Sequence, residues 1–129
     1  MKTINVKRVC LVALWLGPAA TLLAQATERK PVTDARPLLI AAIDSPTGMA
    51  SGILTGDLAD AVTRHFHASS PIYIDVSTER RYAQAGCSRL KLTIWQEGVL
   101  LPGAVEPRRQ TMEIGINYCR DGRPPRSLS

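Results

Sequence analysis

The chain has little of what catalytic and metal centres are built from. Its 129 residues include two histidines and three cysteines. The histidines, His65 and His67, are two positions apart. On a helix that spacing points them about 200° from each other. A metal site needs three or four converging ligands, so no metal centre is expected. No serine stands in a Gly-x-Ser-x-Gly elbow, which leaves Ser45, Ser51 and Ser88 as ordinary hydroxyls. Asp57 and Asp60 would share a helix face, but a shared face does not make a substrate cleft. Gly48, Gly52 and Gly56 recur every fourth residue without the Lys-Ser/Thr ending of a phosphate loop or the spacing of a dinucleotide loop. They read as a mobile linker, or as a stripe that lets a helix approach another backbone. There is no Cys-x-x-Cys pair, no internal repeat and no low-complexity block. From these absences we expect no catalytic residue, no cofactor and no enzyme.

A concentrated basic face is also lacking. Lysine and arginine total 16 against 11 acidic residues, for a formal charge of +5. Three of the cations, Lys2, Lys7 and Arg8, lie at the very start, and Arg108, Arg109, Arg120, Arg123 and Arg126 are spread around turns and a tail. Nucleic acid is therefore not an expected partner.

The opening residues form an export pattern. The basic start precedes a mostly apolar run over residues 9–23, and Ala24-Gln25-Ala26 supplies the small residues of a cleavage point. The run suits a signal peptide and is short for a membrane span. Cleavage after Ala26 leaves 103 residues and a net charge near +2. That is one small domain with no stable membrane span, expected in the periplasm or outside the cell. Cys10 leaves with the signal. Cys87 and Cys119 remain, and in an oxidising compartment they form the single available disulfide.

Residues 27–36 read as a flexible lead-in, 37–119 as the domain and 120–129 as a Pro- and Arg-rich tail. Residues 38–43, between Pro37 and Pro46, suit a short buried strand. Residues 47–56 read partly as a loop. Leu54, Leu58, Val62 and Phe66 recur every fourth residue and predict the one helix, with Thr55 as its cap. Ile72, Ile74 and Val76 alternate as a strand. Residues 90–95 and 112–118 then form a hairpin whose register follows from the cysteines. If Cys87 faces Cys119, Leu90 faces Ile116, Leu92 faces Ile114 and Ile94 faces Met112. A one-residue slip would turn every apolar side chain to the wrong face. The expected fold is α+β: a small, mainly antiparallel sheet with one packed helix, in the order β-α-β-β-β, with one disulfide-stapled hairpin.

Protein binding is the best-supported function class. Trp95 shares a hairpin face with the disulfide, Tyr73 would join it if the sheet aligns, and Val99, Leu100 and Leu101 form an apolar hairpin tip. An open sheet edge would also accept a partner strand. The expected role is a small exported accessory or structural component of a cell-envelope or secretion assembly. An enzyme inhibitor or immunity-type protein, inserting a Leu100-bearing tip into a cleft, is the alternative. A small hydrolase is weaker still.

Overall fold

The computed structural model describes residues 28–129. The signal peptide read from residues 1–26 lies outside them. Seven elements follow in the order β1 (Lys30–Val32), α1 (Arg36–Asp44), β2 (Met49–Leu54), α2 (Asp57–His65), β3 (Ile72–Arg81), β4 (Cys87–Val99) and β5 (Arg108–Cys119). The strands form one sheet in sequence order, β1-β2-β3-β4-β5. β1 and β2 are parallel, and every other pair is antiparallel.

The expected order β-α-β-β-β with one helix is therefore corrected to β-α-β-α-β-β-β with two helices. Residues 38–43 belong to α1, not to a strand. Pro37 sits in the first turn, where its fixed φ suits a helix and its missing N–H costs nothing. The Asp34 carboxylate accepts the Arg36 backbone N–H at 2.9 Å and the Arg36 guanidinium at 2.9 Å. Leu38, Leu39, Ala42 and Ile43 are all buried, one stripe of a helix rather than one face of a strand. At the other end Arg81 donates to the carbonyls of Ile43 and Ser45, at 3.0 and 2.9 Å, and so satisfies groups the helix leaves unpaired.

The segment read partly as a loop holds strand β2. Gly52 pairs with Lys30 of β1 and Ile74 of β3. A Cβ there would stand 2.7 Å from Leu38 Cδ1 and 2.8 Å from the Lys30 carbonyl oxygen. This glycine is what lets α1 lie against the sheet. The core follows from that contact: Leu38, Leu39, Ala42 and Ile43 cover Ile74, Val76, Leu90 and Leu92.

α2 forms where the sequence places a helix, but it starts at Asp57 and is preceded by Gly56, not capped by Thr55. The Thr55 hydroxyl instead donates to the Val32 carbonyl. Leu54 belongs to β2, and Leu58 is 75% exposed, so the four-residue stripe is not the core stripe. α2 sits beyond the end of the main core and is tied there by polar bonds. The buried Gln96 side chain donates to Thr63 Oγ1 and the Ser70 carbonyl, and the Leu100 N–H donates to the Phe66 carbonyl.

The β4–β5 register is the expected one: Cys87 faces Cys119, Leu90 faces Ile116, Leu92 faces Ile114 and Ile94 faces Met112. Cys87 and Cys119 are bonded, with Cα atoms 4.0 Å apart. Lys91 Nζ lies 3.9 Å from Glu113, the diagonal pair that the register requires. The tail folds back, with the Ala83 N–H donating to the Ser129 carbonyl.

Candidate protein-binding surface

The sheet presents two surfaces that differ in chemistry. On the face away from α1, Tyr73 of β3 stands opposite Trp95 of β4, their rings 4.3 Å apart. The Asp75 carboxylate, two residues along, accepts bonds from Trp95 Nε1 at 2.7 Å, Ser51 Oγ at 2.7 Å and Arg29 at 2.9 Å. The Arg29 guanidinium also lies 4.8 Å from the Tyr73 ring centre, and Arg109 lies 4.4 Å from that of Trp95 while pairing with Glu97. Arg89–Glu79 and Lys91–Glu113 continue this charge-paired lattice. The two aromatics that the sequence singles out are thus brought together, but both are roofed by guanidinium groups and the indole N–H is already used.

Asp75 ties this lattice together. Partial burial raises its carboxyl pKa, but the bonds from Trp95, Ser51 and Arg29 and the Arg29 charge outweigh that, so the net shift is downward from 3.8. A depressed folded pKa contributes stability above the unfolded value and loses it as pH falls through the folded one. Asp75→Asn should therefore cost on the order of 1–2 kcal/mol near neutral pH. Urea denaturation across pH should show the gap from the native chain constant above pH 5 and closing below about pH 4.

The other surface is apolar. α1 is nine residues long, about 14 Å. β4 is 13 residues long, about 40 Å. One such helix cannot cover the whole face. The part it leaves open is a groove of about 300 Å³ between α2 and the far ends of β4 and β5. Val62 and Phe66 form one wall, Ile94 and Met112 the floor, and Val99 and Leu101 the end. Met112 is 55% exposed and the adjoining Ile114 41%. Of the expected tip residues, Val99 is buried, Leu100 is held to Phe66 by its N–H, and Leu101 lines the groove mouth. They form the end wall of a groove rather than a projecting finger.

Along this groove runs the open edge of the sheet. No strand of the described residues pairs with the outer side of β5. The Arg120 N–H donates inward to the Gly86 carbonyl, and the Cys119 N–H donates to the Arg123 carbonyl of the tail. Bonded and non-bonded pairs alternate in an antiparallel ladder. Even-numbered residues of β5 therefore bond to β4, and Thr111, Glu113, Gly115 and Asn117 turn their N–H and C=O groups outward.

Val62, Phe66, Ile94, Met112 and Ile114 are the surface residues that sequence reasoning did not assign to binding. The usable signal was a mismatch of length, one apolar hairpin far longer than any helix available to cover it. Among the described residues, no group of three or more His, Cys, Asp or Glu side chains could hold a metal ion, and no helix is long and apolar enough to cross a membrane. No protein-family model matches the chain, and no curated protein or solved structure shows significant similarity to it.

Proposed function

We propose that this is an exported protein that binds a partner polypeptide by strand addition at β5, as an accessory or structural component of a cell-envelope or secretion assembly. One observation carries the binding mode: among the described residues, a 12-residue strand with an unpaired outer edge runs beside an uncovered apolar groove. Strand addition uses both parts, with backbone bonds supplying affinity and alternate side chains entering the groove supplying selectivity. The exported location, periplasmic or extracellular, rests on the basic start, apolar run and cleavage residues of the N-terminus together with the disulfide. The inhibitor alternative called for a tip that carries Leu100 into a cleft, and the bond from Leu100 to Phe66 gives it no support.

Met112→Asp places a charge on the groove floor at a half-exposed site, where losing the cross-strand pair with Ile94 costs about 0.2–1 kcal/mol of folding stability. Cross-linking and affinity recovery from the native envelope should return the partner at least about tenfold less well with this variant, a loss of about 1.4 kcal/mol. Leu58→Asp, exposed but outside the groove, should recover it as the native chain does. Equal recovery by both variants would remove the groove from the account.

A further inference from the structure

We infer that the strand completing the sheet at β5 is β5 of a second copy, paired antiparallel about a two-fold axis at Ile114. This rests on the strand-addition reading and names its partner. The two sheet edges differ in a way that singles out β5. β1 is three residues long and contains Pro31, a short and donor-poor edge of the kind proteins use to prevent pairing. β5 is 12 residues long, has no proline, and exposes Met112 and Ile114. Its charges, Arg108, Arg109 and Glu113, leave the apolar stretch over Met112 and Ile114 open, and a long edge with exposed apolar side chains and no proline is a pairing surface.

The register is set by what each alignment brings together. The tail's Arg123 carbonyl occupies the Cys119 N–H and closes the edge at that end. The outward groups of Thr111, Glu113, Gly115 and Asn117 form a window centred on Ile114. An axis at Glu113 would set Glu113 directly against its own copy, which is unfavourable. An axis at Met112 would set Arg109 against Gly115, over which the Arg89 guanidinium already lies. An axis at Ile114 instead pairs Glu113 with Gly115 of the other copy, and Thr111 with Asn117. Arg89 fills the space above that glycine, and Lys91 is its neighbour on β4. Each glutamate then meets two cations of the other copy. On the apolar face Ile114 meets Ile114, and Met112 meets Ile116. Ile114 falls in a non-bonded pair, where facing side chains come closest.

The test uses the exported protein with its Cys87–Cys119 bond formed. Light scattering at concentrations up to about 100 μM should show a dimer. Glu113→Arg should weaken it at least tenfold by setting a cation against Arg89 and Lys91. Under mild oxidation Ile114→Cys should give a covalent dimer. Met112→Cys should not, because the axis leaves its two copies about 13 Å apart along the strands. A monomeric native chain, or a dimer that cross-links through position 112 and not 114, would overturn the inference. A monomer whose partner recovery still depends on Met112 loses only the second-copy assignment. A monomer whose recovery ignores Met112 loses the strand-addition reading as well.

Discussion

Replacing Cys87 and Cys119 together with serine should lower the stability of the domain by about 3–4 kcal/mol, from the chain entropy that the bond removes in the unfolded state. The bond closes a loop with a sequence separation of 32. It joins the ends of β4 and β5, the two longest strands, at a non-bonded pair with Cα atoms 4.0 Å apart. The tail is anchored beside it, through the Cys119 N–H and through Ala83. Urea denaturation is the measurement. The midpoint should fall, and the dependence on denaturant should steepen as the unfolded chain expands. A loss below about 1 kcal/mol would mean that the sheet holds its register without the bond.

Leu38→Ala should cost 2–5 kcal/mol as an estimate for a buried leucine, roughly the transfer energy plus the cavity left behind. Leu58→Ala should cost less than about 0.5 kcal/mol. Both are helical leucines, and the sequence pattern favours the second. Leu38 is 1% exposed, resting on Gly52 and the β3–β4 core, whereas Leu58 is 75% exposed. Thermal unfolding of the two variants separates the cases, because the same substitution has opposite weight on the two helices. Equal losses would mean that α2 packs the core as closely as α1 does.

These two experiments also mark how much of the fold can be read from the residues. The hairpin register is legible because two independent constraints, the cysteine pair and the alternation of Leu90, Leu92 and Ile94 against Met112, Ile114 and Ile116, demand the same alignment. α1 is not. Eight residues between Pro37 and Pro46 are short for a helix, and a run as apolar as Leu-Leu-Ile-Ala-Ala-Ile shows no period that separates helix from buried strand. Proline in the first turn decides it, together with the room Gly52 leaves. Gly52 also hides β2, since a glycine inside a strand weakens its signature while enabling the helix contact. The stripe of α2 is genuine as a pattern but faces the groove and solvent.

The candidate surface was legible in part. Tyr73 and Trp95 meet because the β3–β4 register aligns them, a pairing that no disulfide fixes. The cations that cover them come from Arg29, before β1, and Arg109 on β5. Contacts drawn from both edges of a sheet depend on strand order, which single-strand patterns do not encode. The open edge of β5 depends on strand order as well. Once that order is known, the numbering of Thr111, Glu113, Gly115 and Asn117 says which backbone groups wait for a partner.

Amide hydrogen exchange along β5 tests that claim most directly. In the isolated chain at high dilution, the N–H groups of Met112, Ile114 and Ile116 should be protected by β4, while those of Thr111, Glu113, Gly115 and Asn117 exchange rapidly. Pairing with the bound strand should slow the odd-numbered set to the level of the even-numbered one. Odd-numbered amides already protected in the dilute chain, or still rapid in the complex, would contradict strand addition at this edge.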